Sequence, residues 1–527
     1  MSTFPLLRTT ALGLALLLAL PLPAPAQTTN LPALGDGTGG GWDITAERRV
    51  GDRIMREVRR DPDYFEDPLL EAYVDALWQP LLASARARGD IRPDSEALYA
   101  WQTFLIRDKV INAFALPGGY VGLYLGLMAM TTTRDELASV LAHELTHVTQ
   151  RHIARGLESG QRQQLGALAA TILGLLAASR SSNPAAAQAV VMGGQAAALQ
   201  GQINFTREME READRIGFDV LAGGGYSGAG MSGMFEKMDT ASRLNDNNQY
   251  PYLRTHPLTI ERISEARLRV REANPPPQTG TPVVHALMQA RARVFMDTNP
   301  EALRHWQTQG NDASAPATDV ARLAARYGAA LASAQLREWD RAATQLDAAD
   351  ALATRGFADQ PDVARALALA RVQMAIDQGG NAITGTSAQT ALRTLADDAS
   401  RPAVFMRAAA ALALQRAGAP AEAALREVLQ VLQNWTVMHR TDAAAWQWQA
   451  QCADALNLPR RAQRAGAEAA YARGDVLGAY DRLRVAQALP QRGAGDEMDL
   501  AVVNARLRDL EPERRRVLAE ARGEKVD

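Results

Sequence analysis

Apolar positions along the chain change their period from one region to the next. From Trp42 to about Ala87 they recur at helical spacing, with a break at Pro68. Ala97 to Arg107 alternates apolar and polar residues, as a half-buried strand does. Val110 to Ala115 and Tyr120 to Leu125 read as two further strands, joined by the turn-forming Leu116-Pro117-Gly118-Gly119. Helical spacing then returns until about Asn274, where Asn274-Pro-Pro-Pro-Gln-Thr-Gly-Thr-Pro282 has the composition of a linker. Beyond it, Ala-rich helical segments run to the end with hardly any strand signal. Two of them, Glu338-Trp-Asp-Arg-Ala342-Ala-Thr-Gln-Leu346 and Asp475-Val-Leu-Gly-Ala479-Tyr-Asp-Arg-Leu483, share a pattern. Their separation is close to four periods of about 34 residues, the helix-turn-helix repeat length of tetratricopeptide proteins. The expectation is a tetratricopeptide-like solenoid, whose concave surface would take protein partners.

The N-terminus has the marks of an export signal. Arg8 gives a short positive region, Ala11 to Leu20 is an apolar run, and Pro21 and Pro23 end it before the small residues Ala24-Pro25-Ala26. Residues 1–26 are therefore expected to be a signal peptide, and the mature chain to be exported. No Cys follows that could carry a lipid anchor. Residues 27–41 form a Pro/Gly-rich flexible lead-in. Two apolar runs, Leu165 to Ala178 and Pro184 to Gly201, are each shorter than the roughly 20 residues that span a bilayer. Two buried helices forming a hairpin are expected there; peripheral membrane contact through 165–201 is the alternative. The domain division is then 42–273, a linker at 274–282, and a helical repeat domain over 283–527.

Composition narrows the class. With 47% apolar residues in 527, the chain buries a substantial core and is not a disordered protein. A net charge of −2, with Arg dispersed among acids, gives no case for a nucleic-acid partner. The single cysteine, Cys452, rules out an internal disulfide and a Cys-based zinc site; it reads as a small buried apolar residue.

Chemistry enters at His143-Glu144-Leu145-Thr146-His147, an HExxH motif. On a helix, positions four apart lie one turn apart on one face, so both imidazoles can bind one metal. Glu144 sits about 100° round from His143, near enough to reach a metal-bound water without having to ligate. Thr133-Arg-Asp-Glu136 reads as a capping box that starts this helix. A third ligand must come from elsewhere, and acids cluster at Thr206-Arg-Glu208-Met-Glu210-Arg-Glu212-Ala-Asp214. Ala213, Ile216, Gly217, Val220 and Leu221 define the apolar face of that helix. Glu210 and Asp214 border it, whereas Glu208 and Glu212 fall on the solvated side. Glu210 is thus the better ligand, and Asp214 is placed to orient a ligating imidazole.

Glu-x-x-Ala-Asp after an HExxH helix resembles the M48 family of zinc metallopeptidases. Asn112-Ala-Phe-Ala-Leu-Pro-Gly-Gly119, Gly126-Leu-Met128, Thr255-His256-Pro257 and Glu261-Arg262-Ile263 resemble other elements of that family. The likeness covers roughly residues 43–273. It implies an α+β zincin-like metallopeptidase domain, mostly helical with a small sheet, followed by the all-α tetratricopeptide-like solenoid. It also implies one zinc ion per chain, held by His143, His147 and Glu210. Glu144 would take the proton of the attacking water and pass it to the leaving amine. His256 would either occupy the open zinc position and restrain activity or stabilise an oxyanion; with Glu144 and Asp214 it completes the expected catalytic set. The strand after Gly119 would pair with an extended substrate. The export signal and repeat tail resemble a periplasmic branch acting on misassembled envelope proteins, among them outer-membrane β-barrels. In that branch the solenoid would dock the assembly machinery. A non-catalytic chaperone or scaffold is the competing function, and a membrane-inserted protease using 165–201 a third. His152 reads as a core or interhelix histidine. His285, His305 and His439 are assigned no role.

Overall fold

The computed structural model describes residues 43–158, 206–244, 251–273, 282–310, 318–491 and 494–522. The expected signal peptide (1–26), lead-in (27–41), apolar hairpin (165–201) and nearly all of the linker lie outside the described residues. Among the described residues, no helix is long and apolar enough to cross a membrane.

The first part runs α1 (Ile44–Val58), β1 (Tyr64–Phe65), α2 (Pro68–Arg88), α3 (Pro93–Leu98), β2 (Gln102–Ile106), β3 (Ala113–Leu116) and β4 (Tyr120–Tyr124). It continues through α4 (Leu125–Met130), α5 (Arg134–Thr149), α6 (His152–Glu158), α7 (Arg207–Gly223), α8 (Ala229–Leu244), α9 (Pro251–Thr255) and α10 (Ile260–Ala273). Pro68 is the first residue of α2, where its missing N–H costs nothing; Asp67 caps the helix by accepting from Leu70 N at 3.0 Å. The strand expected over Ala97 to Arg107 is shorter. Pro93 starts a helical turn that reaches Leu98, and Trp101 turns the chain at φ 48° before β2 begins.

The sheet order is β1-β2-β4-β3, with β2 and β4 parallel and the other pairs antiparallel. The β3–β4 turn uses Gly118 and Gly119 at φ 79° and 88°. A Cβ on Gly119 would lie 2.8 Å from Tyr99 Cβ, so the turn needs glycine twice over. This order corrects one expectation. β4, the strand after Gly119, is hydrogen-bonded on both sides and has no edge to offer a substrate. The outer strands are β1 and β3, and β3 packs next to α5.

The solenoid follows as α11 (Pro282–Phe295), α12 (Pro300–Gln309), α13 (Asp319–Gln335), α14 (Trp339–Gly356), α15 (Pro361–Gln378) and α16 (Thr386–Thr394). It ends with α17 (Arg401–Arg416), α18 (Glu422–Met438), α19 (Ala443–Ala455), α20 (Pro459–Ala472), α21 (Val476–Ala488) and α22 (Ala494–Ala521). The two similar segments seen in the sequence both open helices, α14 and α21. Each is entered through a tight turn with a left-handed residue, Arg337 at φ 60° and Gly474 at φ 82°, and Asn457 at φ 59° repeats the device before α20. Cys452 is fully buried in α19, and burial pushes its thiol up to about 12.

One apolar core runs without interruption from Ile44 through α2, α5 and α7 into the solenoid as far as Ala370. The join is also polar. His285 on α11 accepts from Tyr73 Oη at 2.7 Å and donates through Nε2 to Thr131 O at 3.2 Å. Burial lowers its imidazole to about 4, which keeps it neutral. Arg291 grips the capping carboxylate of Asp67 at 2.7–3.0 Å, and Arg401 on α17 pairs with Glu71 on α2. Asp67 is only 5% exposed, so its cation matters. Arg291→Met should destabilise the chain by about 3–5 kcal/mol in urea unfolding, because it strands a buried carboxylate. A loss below about 1 kcal/mol, the worth of a surface pair, would contradict that account.

Candidate metal centre

The capping box forms as the sequence indicates. Glu136 N donates to Thr133 Oγ1 at 3.2 Å, and Thr133 N donates to Glu136 Oε2 at 3.4 Å. The helix it starts, α5, is buried from Asp135 to Val148, so the HExxH residues point into protein. His143 and His147 then lie with their Nε2 atoms 2.9 Å apart.

A second helix brings the acids. Thr206 caps α7 by accepting from Met209 N at 3.2 Å. Where α7 crosses α5, a Cβ on Gly217 would stand 3.2 Å from Ala142 O and 3.3 Å from His143 Cα. Glycine lets the two backbones approach, and Glu210 and Asp214, two turns and one turn before it, reach His143. Both acids are buried, whereas Glu208 is exposed, as helical phase indicated.

The third contribution is the His256-Pro257 loop after α9. His256 Nδ1 lies 2.9 Å from Glu210 Oε1 and 3.3 Å from His143 Nε2. Tyr252 stacks on its ring at 4.6 Å between centroids, and Tyr252 N donates to Ile111 O at 3.4 Å. His143, His147, Glu210 and His256 each offer one ligand atom, all within 4.8 Å of one another. Three imidazole nitrogens and one carboxylate oxygen form a donor set suited to zinc. Glu144, next to them, is fully buried, and neither carboxylate oxygen has a hydrogen-bond partner in the protein. Its Oε1 is 3.5 Å from His256 Nε2. A buried carboxylate left in this state calls for a ligand or a water that it can serve. All six residues singled out in the sequence (His143, Glu144, His147, Glu210, Asp214, His256) thus come together.

Three neighbours had been given no role at the site. Arg262 holds Asp214 through Nε and NH2 at 2.6 and 2.8 Å, Glu210 Oε2 through NH1 at 2.8 Å, and Pro257 O at 2.9 Å. Its guanidinium is the cation that burial of two carboxylates demands. The sequence held a signal in Glu261-Arg262-Ile263, but without a partner to attach to it. His152 is buried as expected, yet its Nδ1 is 2.8 Å from His147 Nδ1. Glu212, assigned to the solvated face, instead meets His152 Nε2 at 3.1 Å and Arg155 NH1 at 2.9 Å.

The electrostatics follow from burial and pairing. Burial opposes ionisation of Glu210, but His256 and His143 outweigh it and hold the carboxyl well below its usual range. Asp214 is likewise lowered by Arg262 against burial. Burial disfavours a charged His143, yet Asp214, 3.0 Å from its Nδ1, and Glu210 raise it to about 10. Burial and the neighbouring His143 drive His147 far down, and burial takes His152 to about 4 despite Glu212.

This fold and site define a metallopeptidase of the HExxH class. The description "Peptidase family M48" matches residues 69–270. The chain is 36% identical over 340 residues to a putative beta-barrel assembly-enhancing protease of Vibrio cholerae, covering 63% of this chain and 64% of that one. It is 34% identical over 320 residues to the beta-barrel assembly-enhancing protease of Yersinia pestis, covering 59% and 61%. To that of Escherichia coli it is 31% identical over 438 residues, covering 81% and 80%. The chain therefore belongs to peptidase family M48, and it spans a little under two thirds of the Vibrio and Yersinia relatives.

With His143 raised to about 10, uptake of a divalent ion must displace one proton. Apparent affinity should fall about tenfold per pH unit of acidification between about pH 8 and 6, read by chelator competition. A pH-independent affinity would contradict the protonation pattern.

Proposed function

We propose that the chain is an exported zinc endopeptidase that degrades misfolded or misassembled envelope proteins, with outer-membrane β-barrel proteins among its substrates. The observation that carries the peptidase reading is Glu144, a buried carboxylate with no hydrogen bond to either oxygen beside a convergent set of ligand atoms. A non-catalytic scaffold has no use for that group. The names of the relatives support the β-barrel context, and the signal-like residues 1–26 support a periplasmic location.

In this reading His143, His147 and Glu210 hold one zinc ion per chain. Zinc supplies Lewis acidity to the scissile carbonyl and acidifies a water. Glu144 takes the proton of the attacking water and delivers it to the leaving amine. Asp214 fixes His143 from its Nδ1 side, and Arg262 keeps Asp214 ionised in a dry site while His256 and His143 keep Glu210 so. The substrate strand pairs with β3, the outer strand beside α5, in place of the internal β4. His256 would supply a fourth ligand, its Nδ1 lying 2.9 Å from Glu210 Oε1 and 3.3 Å from His143 Nε2. A site closed by four protein ligands is a resting site, because catalysis needs one position open. His256 is therefore a latch, and its withdrawal with the α9 loop starts activity. Residues 42–273 form the peptidase domain. Residues 283–527, joined to it by 274–282, form a tetratricopeptide-like domain that docks the β-barrel assembly machinery.

The test uses the mature chain, residues 27–527, with zinc content and casein cleavage as readouts. One zinc per chain is expected, with cleavage lowered at least about 10²-fold in Glu144→Gln and raised in His256→Ala. Zinc without cleavage in either the wild type or His256→Ala would favour the scaffold.

A further inference from the structure

We propose that His152 and Glu212 form a positioning relay that fixes the tautomer of His147 and aims its Nε2 lone pair into the metal cluster. The proposal rests on the metal-centre reading above and deepens it. It concerns residues outside the ligand set.

Hydrogen-bond chemistry settles the direction of each proton in turn. Glu212 Oε2 is 3.1 Å from His152 Nε2, and a carboxylate only accepts, so the proton of His152 sits on Nε2. Its Nδ1 is then an acceptor. His147 Nδ1 lies 2.8 Å from that acceptor and must donate. The lone pair of His147 is left on Nε2, the atom 2.9 Å from His143 Nε2 and 3.5 Å from Glu210 Oε1. Arg155 NH1, at 2.9 Å, holds the far end of the chain by binding Glu212 Oε2. The two histidines of the motif are thus oriented differently. His143 has a carboxylate on its Nδ1 directly, Asp214 at 3.0 Å, and His147 has one through a neutral imidazole.

The backbone is built to deliver His152 to this place. On an unbroken helix, His152 would lie five residues on from His147 and about 140° round, facing away. The helix instead stops at Thr149, and Arg151 takes a left-handed conformation at φ 52° before α6 begins at His152. A residue with a Cβ adopts that conformation only when its surroundings impose it. Here the side chain of Arg151 is anchored by Glu47 of α1. Glu47 is buried and accepts from Arg151 Nε at 2.6 Å and from Tyr99 Oη at 2.6 Å. A histidine that merely filled the core would need neither the strained hinge nor its anchor.

The relay is tested by the zinc dissociation constant of the mature chain, measured by chelator competition, beside thermal melting of the metal-free protein. His152→Phe keeps the ring volume and removes the acceptor; it should weaken zinc about 10–100-fold. His152→Asn restores an acceptor at the Nδ1 position and should recover affinity to within about threefold of wild type. Glu212→Leu, at a partly exposed side chain, should weaken zinc about tenfold, and Glu208→Gln, on the exposed side of α7, should change nothing. A His152→Phe protein that melts lower without metal yet binds zinc as wild type does would overturn the relay and leave a packing histidine. If His152→Phe does not fold, an unchanged constant in Glu212→Leu overturns it equally. A wild-type chain that binds no zinc would overturn the metal centre and the relay with it.

Discussion

Three carboxylates, those of Glu144, Glu210 and Asp214, are buried within one small volume, and the guanidinium of Arg262 pairs with two of them, Glu210 and Asp214. Arg262 holds Asp214 ionised against burial, and His256 and His143 do the same for Glu210, which keeps one acid able to orient a histidine and the other able to ligate. Arg262 binds Asp214 with two donors and pairs ionically with Glu210 through NH1, which also donates to the carbonyl of Pro257. A single side chain therefore ties the ligand helix to the loop that carries His256. Glu144 is left outside this network, and that exclusion leaves its oxygens available for proton transfer.

The rest of the fold serves to hold these groups at short distances. Gly217 allows α7 to lie against α5, so acids and histidines from two helices converge. The sheet supplies an outer strand beside α5, and the turn at Gly118-Gly119 folds back over the entry to β2. The first solenoid helix is tied to α2 and α4 by His285, Arg291 and a shared apolar core. The solenoid in this way shares its first apolar core with the part that carries the centre.

Much of the centre was legible in the sequence because helices carry phase. The spacing of His143 and His147, the capping box before them, and the side of α7 that holds Glu210 and Asp214 all follow from a period of 3.6 residues per turn. What was not legible depends on breaks in that period and on pairing across the chain. His152 was read on an unbroken helix, and the left-handed Arg151 turned it back under His147. Glu212 was read as solvated because its partner was out of place. β4 was taken for an exposed strand because a hairpin in sequence does not reveal that β2 lies on its other side. Arg262 stood in a recognised segment, but its role belongs to acids 48 and 52 residues away in the chain. The repeat tail showed its helices and one repeated pattern, and the structure adds the left-handed turns at Arg337, Asn457 and Gly474 that fold them against one another.

The central claim is that the cluster of His143, His147, Glu210 and His256 is a metal centre. An anomalous difference map collected across the zinc absorption edge, from crystals of the mature chain grown with zinc, tests it most directly. The account predicts one strong peak within bonding distance, about 2.0–2.2 Å, of His143 Nε2, His147 Nε2 and a Glu210 oxygen, with Glu144 unbound. A peak elsewhere, or zinc coordinated by Glu144, would contradict it.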